Sequence, residues 1–181
     1  MKKERGELLK KKGQVWIETV IYLLIAFVMI GMVLAFVKPK IEEIKDNSIL
    51  DQSVHILEDI EDTITSIGSP GNKRLVEIGL KKGTFTINSK NNSLIFKMDS
   101  MHLYTEPGIK VEIGNVVAET TKKTRDNLVV LSSNYTESYN FTYNDNKESK
   151  ILTKASVAYK LIITNEGYDT LGRSIINFEL D

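Results

Sequence analysis

The chain has 181 residues, and 24 lysines and arginines balance 24 aspartates and glutamates, so its formal net charge is zero. That length holds one compact domain with an appendage but not two ordinary domains, and the balanced charge gives no basis for a nucleic-acid partner. Cysteine is absent and the histidines are His55 and His102. This composition excludes disulfide scaffolds, zinc ribbons and thiol catalysis, and it leaves almost no material for a histidine-built metal site or triad. No cofactor, no metal and no enzymatic activity are expected.

The neutral total conceals three chemically distinct segments. Residues 1–13 carry six bases and two acids, residues 41–67 carry eight acids and the base Lys45, and residues 68–181 carry fifteen bases and thirteen acids. Between the first two segments, the eighteen residues from Val20 to Val37 contain no charge. With VWIET in front, the stretch makes 23 residues, roughly 35 Å of helix and enough to cross the hydrocarbon of a bilayer. A buried helix of a soluble protein is seldom apolar on every face for so long. The basic cluster ahead of it, against only Lys38 and Lys40 behind it, predicts that the leader is cytoplasmic and the remainder lies outside. The apolar run is too long for an ordinary cleaved secretory signal, and no A-x-A-like site follows it.

Glu18 lies within this stretch. A carboxylate at mid-bilayer costs about 2.5–3.5 kcal/mol and less near the interface. Glu18 therefore either sits at headgroup level with its side chain in water, or is retained in the apolar helix for a purpose.

The surrounding sequence is KKGQVWIETVIYLLIA: a basic leader ending in Gly13, then Gln14, then Glu18 as the fifth residue counted from Gln14, with the apolar run continuing through it. Carried by Lys12, Gly13, Gln14, Glu18 and the long apolar helix, this pattern resembles the type IV prepilin leader. The closest likeness is to the archaeal variety with glutamine after the cleavage point, the class III signal peptide. The resemblance covers about residues 8–40. It implies that a prepilin peptidase recognises the leader through Lys11 and Lys12 and cuts between Gly13 and Gln14 on the cytoplasmic side. It also implies that the apolar helix is retained as the core of a filament, built from pilin subunits on a membrane assembly platform. A buried carboxylate in such a bundle needs a partner, and the new α-amino group at Gln14, with a reference pKa near 8, could supply it from a neighbouring subunit. Glu18 would then set the register of assembly. Cyclisation of Gln14 would remove that amine and leave Glu18 to find a hydrogen-bond partner instead.

After the apolar segment, Ile41, Ile44, Leu50, Leu57, Ile60, Ile64 and Ile67 recur at helical spacing with acids on the other faces, which predicts an amphipathic stalk helix. Its second half is expected to pack on the head, with the acidic face solvated, repelling similar faces or meeting basic patches. Gly68, Ser69, Pro70 and Gly71 stop the helix. Pro39 lacks a backbone donor and crowds the carbonyl of Ala35, so a kink or short break is expected there.

From Arg74 the periodicity changes to alternation. LVEIGL (75–80), TFTIN (84–88), SLIFKM (93–98), KVEIGNVVA, NLVVLS, SYNFTYN, ILTKASVAYKLIIT and SIINFEL read as about eight strands, with SKNN as a hairpin turn. In the longest run Val157, Tyr159, Leu161 and Ile163 form the expected core face. The predicted fold class is α+β: a long N-terminal hydrophobic and amphipathic helix followed by an antiparallel β-sandwich-like head. The expected divisions are a leader (1–13), a membrane or filament-core helix (14–38), a stalk (39–69) and a head (70–181).

Asn91, Asn134 and Asn140 begin Asn-x-Ser/Thr sequons. An extracytoplasmic head makes them candidates for glycosylation. Tyr139, Phe141 and Tyr143 share one strand face, read as core rather than as an exposed contact patch. Asp145 between Asn144 and Asn146 lacks the Gly and terminal Glu of a calcium loop, and His55 and His102 read as surface residues. No P-loop, dinucleotide fingerprint or G-x-S-x-G is present. Three functions are compatible with these features. The first is a subunit of a surface filament, concerned with adhesion and located in the cell membrane and on the cell surface. The second is a single-pass anchored binding protein that does not polymerise, and the third a membrane-tethered enzyme working through carboxylates.

Overall fold

The computed structural model describes residues 16–181 with their side chains and carries the helical backbone back to Lys2. Helix α1 spans Lys2–Ser66 and ten strands follow: β1 (Lys73–Ile78), β2 (Thr84–Asn88), β3 (Ser93–Ser100), β4 (Lys110–Ile113), β5 (Val116–Lys122), β6 (Asn127–Asn134), β7 (Tyr139–Tyr143), β8 (Lys150–Thr153), β9 (Tyr159–Tyr168) and β10 (Ser174–Leu180). The class is α+β, as the periodicities predict. The chain forms two compact units, Met1–Glu42 and Glu43–Asp181. The helix assignment runs through Pro39 without a break.

In the second unit the stripe on α1 is buried from Leu50 onward. Leu50, Val54, Leu57, Ile60 and Ile64 are each 5% exposed or less and belong to the same core cluster as the strands. Ile41 and Ile44, earlier in the pattern, are exposed. The helix ends where Gly68 adopts φ +71°, a left-handed value that lets the chain reverse without a Cβ clash. Two carbonyls at that end are satisfied by side chains, Asn72 Nδ2 donating to Ile67 O (2.8 Å) and Asn165 Nδ2 to Gly68 O (2.6 Å).

The strands form two sheets, one ordered β1-β9-β10-β7 and the other β4-β5-β6-β3-β2-β8. The six-stranded sheet is antiparallel throughout. Its inward residues alternate as strand geometry requires: Leu94, Phe96 and Met98 on β3 face the core with Val129 and Leu131 on β6, Val116 and Ala118 on β5 and Phe85 and Ile87 on β2. Asn88 pairs with Ser93 across the turn at 89–92, the hairpin expected from SKNN. At Gly83 an added Cβ would lie 2.5 Å from Lys97 O and 2.8 Å from Met98 Cβ, and φ is +83°. Only glycine fits there.

Two expectations about the strands are corrected. KVEIGNVVA is not one strand but the β4–β5 hairpin, closed by Gly114–Asn115 with φ +59° at Gly114, the positive first turn position that tight hairpins favour. ILTKASVAYKLIIT is broken into β8 and β9. The two belong to different sheets, and Val157, assigned to the core face, is 76% exposed in the connection. The two sheets are antiparallel-rich, as expected, with β7 pairing parallel to β10.

Polar groups taken inside are tied into the fold. Asn177 is fully buried; its Oδ1 accepts from Thr142 Oγ1 (3.1 Å) and Asp145 N (3.0 Å), and its Nδ2 donates to Asp145 Oδ1 (2.9 Å) and Glu179 Oε1 (3.1 Å). The Asp145 carboxylate thus shapes a turn. Buried Asn92 accepts at Oδ1 from Phe141 N (2.9 Å) and Lys147 Nζ (3.1 Å). Burial, followed by the charge of Arg173, lowers the Lys147 ammonium below its ordinary pKa.

Candidate functional site

The first candidate site is the outer surface of α1. All described residues from Trp16 to Val37 are exposed, from 38% at Val20 to 77% at Phe36 among the large apolar ones. The helix is long and apolar enough to cross a membrane, and its most apolar stretch has no burial within the chain. Apolar residues on every face of a helix, left uncovered among the described residues, are stable only in lipid or against other apolar helices. One helix of this length and apolarity near the N-terminus supports membrane association. Glu18 lies on this surface and is exposed. Lys11, Lys12, Gly13 and Gln14, the expected leader and cleavage residues, fall outside the described residues.

The second candidate is a cleft of about 670 Å³ at the C-terminal end of α1, lined by Glu61 and Thr65 of the helix, Asn115 of the β4–β5 turn and the segment from Asn134 to Tyr139. Two turns and a helix end converge here, which explains why sequence reasoning missed it: its residues come from positions 61, 115 and 134–139 and share no motif. Tyr135 is 5% exposed, and its ring packs against Phe141 (centroids 5.1 Å) and edge-on to Tyr139 (6.1 Å). The Tyr135 hydroxyl is buried without a well-formed hydrogen bond, as is Ser133 Oγ. Burial, then the charge of Glu61, raises the Tyr135 phenol well above its usual range, tempered by Ser133 and Asn115. Burial also raises the Glu61 carboxyl, opposed by a hydrogen bond from Asn115 and reinforced by Asp62 and Glu58.

Comparison with known proteins adds nothing to this geometry. No family model, curated protein or solved structure matches the chain.

The sequon asparagines have different surroundings. Asn91 and Asn134 are exposed. Asn134 Oδ1 accepts from both the amide (3.0 Å) and the hydroxyl (2.6 Å) of Thr136, two residues on. Asn140 is half-buried on β7; its Nδ2 donates to Asp169 Oδ2 (3.2 Å) and its Oδ1 is shut off from solvent. In the folded head two of the three sequon asparagines are thus exposed and the third is half-buried. Phe141 is fully buried between Tyr139 and Tyr143, both packed against the core, so this aromatic row is core, as read. His55 is exposed beside Glu58 (3.1 Å) and His102 lies 3.7 Å from Glu43. No cluster of metal-ligating side chains occurs among the described residues.

The unsatisfied hydroxyl at the cleft floor has a measurable consequence. Removing an orphan buried hydroxyl while keeping the ring relieves a desolvation penalty. Tyr135→Phe is expected to leave the stability of the head unchanged or to raise it by about 1 kcal/mol. A urea titration of the detergent-solubilised protein checks this, and a loss of more than about 1 kcal/mol would mean that the hydroxyl has a partner.

Proposed function

We propose that this protein is a structural subunit of a type IV pilus-like surface filament, processed by a prepilin peptidase between Gly13 and Gln14. The observation that supports this reading most strongly is the uncovered, charge-free surface of α1 from Thr19 to Val37 preceding a separately folded β-rich head. In this reading the mature helix first anchors the subunit in the membrane and then exchanges lipid for the helices of neighbouring subunits. Cohesion comes from apolar packing and Glu18 sets the height at which a subunit docks, through the Gln14 amine of its neighbour. The N-terminus is cytoplasmic and the head extracytoplasmic, where it sets surface properties such as adhesion. The leader resemblance favours an archaeal assembly machinery.

The test is the N-terminal mass of the membrane-bound protein produced with and without an archaeal prepilin peptidase. A peptidase-dependent terminus at Gln14 is expected, and the same mass shows whether that glutamine has cyclised. An intact Met1 in both preparations would instead favour a single-pass anchored binding protein, a reading to which the cleft at the helix end lends a binding site. Glu18→Ala distinguishes the two further. The filament reading expects normal membrane insertion with assembly abolished, scored by electron microscopy of sheared surface material.

A further inference from the structure

The end of the head from which the chain leaves for the membrane segment carries a cluster of bases. Asp46, in the first turns of α1 within the head unit, accepts from Lys82 Nζ (2.6 Å) and from Met101 N (2.7 Å). Those bonds place the start of β2 and the end of β3 beside the helix entry. Cross-strand register puts further chain ends there: Thr84 pairs with Thr153, Ser100 with Asn127, and Lys122 with Asn127. A groove of about 360 Å³ at this end brings together Lys82, Lys97 and Lys123, and the adjoining turn carries exposed Lys122 and Arg125. Lys154 follows Thr153, beside the backbone bond from Ala155 N to Leu80 O (3.1 Å).

Asp46 is neutralised by Lys82, and Asp99 by Lys123 (2.5 Å). Counting also Asp126 in the turn and Glu43 on the helix, the six bases exceed the four acids by two. Glu43, also at this end, is turned to His102 (3.7 Å). Lys97, Lys122, Arg125 and Lys154 form no ion pair among the described residues.

We propose that this basic end of the head, centred on Lys97, Lys122, Lys123 and Arg125, is a docking surface for the anionic phosphate headgroups of the bilayer in which the helix is anchored. The proposal rests on the membrane-anchor reading and on chain length. Five residues, 38–42, separate Val37 from Glu43, the first residue of the head unit. Even fully extended, that connection reaches only about 20 Å. A tether so short holds the basic end at high effective concentration beside the lipid surface, and each base near an anionic surface adds attraction that fades within a Debye length. The acidic face of a second copy's stalk also has the right sign, but in the unassembled subunit it must arrive by diffusion, whereas the bilayer is always present. The surface would hold the head against the membrane until assembly withdraws the helix.

Full-length protein reconstituted in phosphatidylcholine vesicles, with and without added phosphatidylglycerol, tests this by hydrogen exchange of residues 119–127 at low and high salt. Slowed exchange is expected only in the anionic vesicles. It should be lost at high salt and in the triple variant Lys97→Glu, Lys122→Glu, Arg125→Glu, with each base removed lowering the docked-to-free ratio about fivefold. Unchanged exchange in the core segment 129–133 shows that the variant is folded. Equal exchange in the two lipid mixtures would overturn the proposal. Protection that instead rises with protein density at either lipid composition would assign the surface to a second copy. Failure of the wild-type chain to float with vesicles would sink the anchor reading itself.

Discussion

Phe141→Ala is expected to destabilise the head by about 3–5 kcal/mol, the cost of emptying a fully enclosed aromatic site. Phe141 is fully buried on β7 and stands between two other rings, tilted on Tyr135 at 5.1 Å and edge-on to Phe178 at 5.0 Å. Its removal deletes the transfer free energy of a phenyl ring, leaves a cavity and disrupts two aromatic pairs. The position also matters for topology. β7 is held in its sheet by β10 alone, so the loss falls on a strand with one neighbour. Urea denaturation of the solubilised protein measures it. Phe141→Leu, which refills most of the volume, should cost no more than about 1.5 kcal/mol. Equal losses in the two variants would mean that ring contacts rather than volume set the cost.

Asp46→Ala comes next, at about 2–3 kcal/mol. Asp46 is 4% exposed, bonded through one oxygen to Lys82 and through the other to the amide of Met101. Truncation leaves a buried amide without an acceptor and an ammonium without its counter-charge. The 41% exposure of the Lys82 side chain lets water recover part of that loss, which holds the expected cost below that of a fully buried pair. Asp46→Asn keeps an acceptor for Met101 and should cost about half as much. Thermal unfolding by circular dichroism checks both, with a fall in Tm of roughly 5–10 °C for the alanine variant. A variant that unfolds as wild type would show that the helix entry is held by Lys81–Gln52 and Tyr104–Asp51 instead. Those contacts measure 3.3 Å each. Burial and the Asp51 charge push the Tyr104 phenol up to about 12.

Asp46 also illustrates how far a charge run can be read. Among the eight acids of residues 41–67 it looks like any other member of a solvated face. What distinguishes it is a partner 36 residues away, and no local pattern contains that information. The same limit explains why β8 and β9 read as one strand. The alternation of β9 extends in sequence back to Val157, before the strand begins, because a two-residue period does not mark where a strand starts. Whether the chain stays in one sheet or crosses to the other depends on which edge is free to accept it. The Gly114–Asn115 turn, by contrast, is a local signal, and treating KVEIGNVVA as a single strand overlooks it.

Composition and periodicity were sufficient, by themselves, for the properties set within a few turns or strands. These are an apolar helix without internal cover, an amphipathic continuation ending at Gly68 and a β-rich head. Local free energies of burial and backbone preference determine the helix, its continuation and the strands. The tertiary structure alone decided the parallel β7–β10 pairing, the cleft floored by Tyr135, the half-burial of Asn140 and the basic end around Lys97. Each brings together groups far apart in the chain. Their meeting is governed by how two sheets and a helix close on one core, because closure selects among pairings that local energies leave nearly equal.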